Sequence, residues 1–461
     1  MHPAGAKRIV QVSWSSRAMF VLASTGAAIG FNNFWQFPSL VFEYGGGAFI
    51  VVYFLCLLLL GLPLLMAEFM IGRIGRDAPD GAFLRVAGHV HASHRWWVIG
   101  AMAVLAGFLI FAYLSVIAGW TIAFGFRAAT GVLADLTADG VSSIFTQLVR
   151  DSEKQLFWYT LYILSIALVS LRGLRAGLEP AIRVAVPLMF GLMLLLLVYA
   201  ATGTGFSQVL VETMMPDFTK LSWTAMLAAA GYAFFSLSLG AGAMFMYGAY
   251  LDRDAPLARL TWYIVLLDIL AGLMAALTVY PLLYAGSVAP AAGPTLLFEA
   301  LPVALDHLPY GRLVLTGFFL TLIIAAWLSG LALFEPAVMW GIGRFHCTRA
   351  KAVFTCGVVA WVLASIVTLS FNAWAFSFPL FDGTKQFGLF DVMQIMASRV
   401  LIPIVGIGTA LFAGWVLKPE MSREHLQLRS PCGLDAWVWL VRIVIPVTLV
   451  CVLFQLSKIY S

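Results

Sequence analysis

Gly26-Ala27-Ala28-Ile29-Gly30-Phe31-Asn32-Asn33 interrupts the first long apolar stretch of the chain, Trp14 to Pro38, with a run that a membrane-spanning helix would normally avoid. A second apolar stretch, Leu221 to Tyr250, is interrupted in the same way by Ser236-Leu237-Ser238-Leu239-Gly240-Ala241-Gly242. Backbone groups left unpaired in hydrocarbon are costly, so irregular chain at mid-depth is tolerated only where it lines a cavity and holds something polar. Two such breaks, one in each half of the chain, point to a binding site inside the bilayer.

Composition sets the class in which this break has to be read. Hydrophobic residues make up 62% of the 461 positions and charged residues 11%, against roughly 25% charged in soluble domains. Such a chain is a polytopic membrane protein. Stretches long enough to cross about 30 Å of hydrocarbon fall at 14–38, 45–72, 96–127, 155–172, 180–201, 221–250, 258–286, 312–343, 350–371, 388–417 and 435–458, so eleven spans are expected. The first is too long, and too broken, for a cleavable signal peptide.

Orientation follows from the basic residues. Alternating spans put Lys7, Arg8, Arg73, Arg76, Arg85, Arg95, Arg172, Arg175, Arg253, Arg259, Arg344, Arg349, Lys351, Lys418, Arg423 and Arg429 on one side, and chiefly Arg150, Lys154, Lys220 and Lys385 on the other. The richer side is cytoplasmic by the positive-inside rule. The expected protein is a multi-pass plasma-membrane protein, in a bacterium an inner-membrane one, with its N-terminus inside and its C-terminus outside. The net charge of +5 reports this topology, and the expected partner is the lipid bilayer rather than nucleic acid. Cys56, Cys347, Cys356, Cys432 and Cys451 show no CxxC spacing, so neither a disulfide nor a cysteine metal site is expected.

Short loops make residues 1–461 a single transmembrane domain. Spans one to five (about 14–201) and six to ten (about 221–417) each open on a broken helix, and five being odd, the second set is inverted relative to the first. The fold class is therefore all-α integral membrane with a 5+5 inverted repeat, broken helices one and six, and an extra helix at about 435–458. The longer outside segments 128–154 and 287–311, the second containing Pro290, Gly293, Pro294 and Pro302, are candidates for a lid over the outer entrance.

Trp14, Arg17, Gly26 to Gly30, Asn33, Phe37-Pro38, Gly45-Gly46-Gly47-Ala48-Phe49, Pro63 and Glu68-Phe69-Met70-Ile71-Gly72-Arg73 together resemble the neurotransmitter:sodium symporters, the family of the bacterial leucine transporter. The similarity continues through Gly177-Leu178-Glu179, Pro216-Asp217-Phe218, Phe234 to Gly240, Glu335-Pro336 and Leu369-Ser370-Phe371-Asn372. It implies the leucine-transporter fold and a first sodium site built from the Ala28 carbonyl, the Asn33 side chain, Ser236 and, where the leucine transporter has Asn, Asp268. It implies a second site at the carbonyls of Gly26, Ile29 and Ala325 and the hydroxyl of Ser329. There Leu328 replaces a residue that is commonly polar, which leaves the second site low in affinity, completed by water, or absent.

The residues read the same way on physical grounds. A half-helix ends in amides carrying about half a positive charge or carbonyls carrying about half a negative one, so a break offers both an anion and a cation site. Asp268 lies in an apolar run, where an unpaired charge costs roughly 3 kcal/mol. It is either a cation ligand or a protonated acid bonded to a nearby carbonyl. As a ligand it supplies permanently the negative charge that some relatives take from chloride, so no chloride requirement is expected. Glu68 is the other charge deep in a span, and the resemblance implies that it props the breaks open by accepting bonds from near Ser238 and near Gly30. Glu335, before Pro336, supports a helix kink or serves a proton or gating role.

Departures from the family pattern bear on the cargo. The tyrosine that holds a substrate carboxylate in amino-acid members is Leu114 here, and Tyr113 is one residue off, about 100° around a helix. Gly30 stays glycine where amine-selective relatives carry Asp. The outer charged gate becomes Gln36 and Gln394, and the inner one Gln11 and Gly343, leaving Trp14 and Tyr250 to close the inner side. The remaining cargo residues by resemblance are Ala27, Ala28, Ile110, Phe235, Ser236, Ser238, Ala241, Ser329 and Leu333, a mostly apolar set. The expected function is inward sodium-coupled symport of a small, apolar amino acid or amino-acid-like solute, not an enzymatic activity. The alternative is a membrane receptor, sensor or uncoupled carrier that binds such a ligand without sodium-driven transport.

Overall fold

The computed structural model describes residues 12–289, 293–371, 374, 378, 379, 386–428 and 430–460. Lys7, Arg8, Gln11, Pro290, Asn372, Lys385 and Arg429, which entered the sequence reading, lie outside the described residues. Among the described residues the chain is almost wholly helical, with only the ladder Phe378–Pro379 against Gln386–Phe387 in strand form.

Nine continuous helices among the described residues are long and apolar enough to cross a membrane: Gly47–Gly75, His94–Thr130, Ser152–Leu171, Leu174–Thr202, Leu257–Ala285, Gly311–Phe345, Arg349–Ser370, Leu389–Val416 and Cys432–Phe454. The first and sixth apolar segments are absent from that set because both are interrupted. The first runs as Arg17–Ala28, Phe31–Phe34 and Gln36–Glu43. The sixth runs as Trp223–Ser236 and Ala243–Ala249. For brevity, helices are called second to eleventh by their place among the apolar segments.

Local chemistry sets where these pieces begin. Ser16 accepts from the Met19 amide and Ser222 from the Ala225 amide, each taking up a donor that the first helical turn leaves orphaned. The first segment extends to Glu43 rather than ending at Pro38, because Pro38 sits in the opening turn of Gln36–Glu43, where its missing N–H breaks no helical bond. The first break is also narrower than the sequence implied: Gly26–Ala28 stay helical, and only Ile29 and Gly30 leave the helix, both with extended backbone.

The third and eighth helices pack along much of their length and form the centre of the bundle, joined by Phe111 against Phe334 with centroids 5.0 Å apart. The fifth helix, by contrast, turns Val184, Leu188, Leu194, Leu195 and Val198 outward, an apolar face suited to lipid. The segments considered as a lid are helical at Ala138–Arg150 and at 293–306, and they pack on one another, Phe145 stacking on Phe298 with centroids 5.1 Å apart. Phe298 also packs on Trp120 and Phe124 near the end of the third helix.

Candidate substrate and cation site

The two breaks are tied together by hydroxyl groups. Ser238 donates to the Ala27 carbonyl at 2.8 Å, and Ser329 of the eighth helix donates to the Ile29 carbonyl at 3.3 Å. These side chains pair carbonyls that a continuous helix would pair with its own amides. In the sixth segment the backbone turns through left-handed conformations at Ser238 (φ 51°), Gly240 (φ 74°) and Gly242 (φ 83°), which brings the Gly240 N–H to Glu68 Oε1 at 2.8 Å.

Glu68 therefore supports the sixth break through a group near Ser238, as expected, but among the described residues it takes no bond from the first break near Gly30. The Ser238 hydroxyl is engaged by Ala27, and the Gly30 N–H donates to Asn33 Oδ1 at 3.1 Å. Glu68 Oε2 has no hydrogen-bond partner among the described residues.

Beside the breaks lies a fully buried carboxylate. Asp268 Oδ2 accepts from the Tyr53 hydroxyl at 3.2 Å, while that same hydroxyl lies 3.3 Å from Ser236 Oγ, so its single proton serves two acceptors. Asp268 Oδ1 has no hydrogen-bond partner among the described residues. Asn33 and Ser236 face this carboxylate. A buried carboxylate half-satisfied in this way, beside an amide, a hydroxyl and the end of a half-helix, is a set of hard oxygen donors of the kind an alkali cation takes.

The second cation position is less well furnished. Ser329 and Ile29 meet, and Ala325 is buried one turn earlier on the eighth helix, but Leu328 turns its side chain to Gly26, where a Cβ would lie 3.3 Å from it. Carbon thus occupies ground where a further oxygen would strengthen a cation site.

Between the breaks opens a cavity of about 350 Å³. Ala28, Gly30, Ile110, Tyr113, Leu114, Phe235, Ser236, Ser238, Ala241, Ser329 and Leu333 line it, as do Asn33, Gln36 and Gln394. Ala27 does not, its carbonyl being turned to Ser238. The third helix reaches the sixth break through Gly107, where a Cβ would stand 2.1 Å from the Ala241 carbonyl, so a side chain at that position would force the wall apart. No hydrogen bond joins Gln36 to Gln394 among the described residues, so the bridge their amides permit is not made in this conformer.

Several lining residues escaped the sequence reading of the site, among them a hydroxyl and a charge on the tenth helix. Ser398 and Arg399 enter the wall from a π-helical turn of the tenth helix, Ile395–Leu401, and the Tyr113 hydroxyl lies 2.7 Å from Ser398 Oγ. The same signal that singled out Asp268, a charge inside an apolar stretch, was present at Arg399. The wall is accordingly less apolar than expected.

A chain of polar contacts closes the opposite end. The Trp14 backbone N–H donates to the Tyr250 carbonyl at 2.9 Å, and its indole N–H to the Tyr247 carbonyl at 3.1 Å. Tyr250 in turn donates to Glu335 Oε1 at 2.7 Å, and Arg349 pairs with Glu335 Oε2 at 2.6 Å while its Nε donates to the Ser170 carbonyl. This network joins Trp14, the sixth segment and the fourth, eighth and ninth helices. It provides a charged pair near Gly343, which has no side chain to form one. Trp14 also borders a separate opening of about 580 Å³ that includes Arg17, Arg76, Asp252 and Arg253.

Comparison with known proteins agrees with this architecture. The profile of the sodium:neurotransmitter symporter family matches residues 11–141 and 152–456. The chain is 30% identical over 458 residues to the uncharacterized sodium-dependent transporter YhdH of Bacillus subtilis, covering 98% of each. It is 30% identical to an uncharacterized sodium-dependent transporter of Methanocaldococcus jannaschii, over 96% of this chain and 89% of the other. The crystal structure of MhsT in complex with L-phenylalanine superposes with a TM-score of 0.86 at 32% identity, covering 97% of this chain and 99% of that one. With two helices broken around a shared cavity and matches that run nearly end to end, the chain belongs to the sodium:neurotransmitter symporter family and is a multi-pass membrane transporter, not an enzyme.

Proposed function

We propose that this transporter is a sodium-coupled symporter that carries a small amino acid or amino-acid-like solute inward by alternating access. The observation that carries the reading is the buried Asp268 carboxylate, one oxygen unpartnered, facing Asn33 and Ser236 at the edge of the cavity between the two breaks. The L-phenylalanine of the MhsT crystal structure supports the amino-acid class.

In this reading Asp268, Asn33, Ser236 and the Ala28 carbonyl hold one sodium ion, and the cargo's carboxylate completes the set from the cavity side. Each ligand then favours the other by the same coupling free energy. Asp268 supplies the compensating charge, so chloride is not required. The second site at Gly26, Ile29, Ala325 and Ser329 is weakened by Leu328. The organisation is eleven spans in a 5+5 inverted repeat, with an N-terminus inside.

The latch at Trp14, Tyr250, Glu335 and Arg349 is then the inner gate, and it is closed here. Gln36 and Gln394, not joined to one another, stand at the outer mouth. Ser238 bonded to Ala27 lets the two broken segments move as one body when the gates exchange.

Counterflow in proteoliposomes tests this reading. A preloaded amino acid is expected to exchange with its labelled form, and a sodium gradient to accumulate it above equilibrium. Ligand binding without exchange, or uptake indifferent to replacing sodium with potassium, would leave a receptor or an uncoupled carrier instead.

A further inference from the structure

We propose that the cleft where the third helix ends and the fourth begins binds one phospholipid whose head group carries both a phosphate and a primary ammonium, a phosphatidylethanolamine. The site is separate from the central cavity and stands independently of the symporter reading.

Phe126, Arg127, Glu153, Lys154, Phe157 and Trp158 line an opening of about 530 Å³. Lys154 is taken by Asp151 at 2.8 Å, but no ion pair among the described residues engages Arg127 or Glu153. The Arg127 guanidinium lies over the Phe124 ring, 5.7 Å from its centroid, and its Nη1 is buried with no hydrogen-bond partner among the described residues. A buried N–H left unpaired is costly, and the planar donors of a guanidinium match a phosphate closely. A cation and an anion that border one opening without meeting suit a ligand that brings both opposite charges. The phosphate falls to Arg127 and the ammonium to Glu153.

Depth and apolar surface select a lipid over a free zwitterion. Arg127 stands in the last turn of the third helix, which ends at Thr130, and Glu153 in the first turn of the fourth, Ser152–Leu171. Both charges are therefore at the ends of membrane-spanning helices, where head groups lie. Phe126 and Phe157 are exposed, and Trp158 packs on each, with centroids 5.8 and 5.0 Å apart. Phe157, Leu161, Leu164 and Leu168 continue as an exposed apolar stripe down one face of the fourth helix. An acyl chain lying on that stripe brings its glycerophosphate to the opening.

The test is a thermal-unfolding titration of the purified full-length protein in detergent micelles doped with dioleoyl phosphatidylethanolamine, phosphatidylglycerol or phosphatidylcholine, on the native chain, R127Q and E153Q. Phosphatidylglycerol lacks the ammonium, and the quaternary ammonium of phosphatidylcholine has no N–H to donate. Phosphatidylethanolamine should therefore half-saturate the shift in melting temperature of the native chain at a mole fraction about tenfold or more below the other two. R127Q should raise that fraction about tenfold, and E153Q should erase the preference over phosphatidylglycerol, each variant melting cooperatively without lipid. An equal response to the three lipids would mean unselective annular lipid only. That result, a preference for phosphatidylglycerol or phosphatidylcholine, or an unchanged response in either variant would overturn the site. Where a variant does not fold, the ranking of the three lipids by the native chain decides.

Discussion

In the proposed sodium site Asp268 carries a charge that the fold has to balance. Its Oδ2 accepts a single tyrosine proton and its Oδ1 has no partner among the described residues, so a cation is the natural counterpart of a carboxylate this deeply buried. Replacing it by Asn keeps the shape and removes the charge. Asp268→Asn is expected to weaken sodium activation of uptake by about tenfold or more, since a hydrogen bond or ligand contact to a charged group is worth roughly 1.5–3 kcal/mol. Native uptake should be unchanged when gluconate replaces chloride, and the variant should regain activity as chloride is raised. Native uptake that collapses in gluconate would show that the carboxylate does not stand in for the anion. Asp268 was legible in the sequence because a lone acid in an apolar run has few structural uses. Arg399 obeyed the same rule and was passed over, because its place on the cavity wall depends on a π-helical turn with no local signal. Tyr113 illustrates a further limit: its offset from the family position could be read, but the Ser398 hydroxyl that receives it lies 285 residues away.

At the scale of elements, the breaks were located but their extents were not. Glycines between apolar flanks marked both, with asparagines in the first and serines in the second. The first nevertheless begins only at Ile29, where the Ser329 hydroxyl from the eighth helix meets the carbonyl, a partner that no local window contains. The π turn Leu57–Gly61 in the second helix is similarly silent, since a run of leucines fits an α-helix equally well. The inner latch is another non-local product. It draws Trp14, Tyr250, Glu335, Arg349 and Ser170 from five separate helical segments or their flanks, and Glu335 alone left two roles open in the sequence. Removing one partner of a buried ion pair costs about 3–5 kcal/mol when the other charge is left uncompensated, and less here because the Arg349 side chain keeps 23% of its surface exposed. Glu335→Gln is therefore expected to shift the population toward an inner-open state. In a background lacking native cysteines, Ala28→Cys in the cavity should react with a membrane-impermeant maleimide from the cytoplasmic side about tenfold faster when Glu335→Gln is added, a factor equal to roughly 1.4 kcal/mol of population shift. An unchanged rate would confine Glu335 to shaping the helix at Pro336.

For the whole molecule, class and topology follow from quantities that local irregularity does not disturb. A chain with 62% hydrophobic and 11% charged residues has to place most of its surface in lipid, and nine continuous helices with two interrupted segments among the described residues give it the means. Orientation rests on a separate asymmetry. Arg17, Arg76 and Arg253 border the opening beside Trp14, on the side that the loop charges mark as cytoplasmic, whereas the segments at 138–150 and 293–306 pack together near the other end of the third helix. Moving a cluster of arginines across the bilayer is opposed during insertion, which is why the proposed orientation keeps the basic side in. In the proposed organisation of eleven crossings the two termini lie on opposite faces. Fused at the C-terminus, alkaline phosphatase should be active and a green fluorescent reporter dark in a bacterial host. The same reporters at the N-terminus should give the opposite result. A fluorescent C-terminal fusion would mean that one of the eleven apolar segments fails to cross, and because the fifth helix and the eleventh are the least enclosed by protein, those are the segments that truncated fusions should examine first.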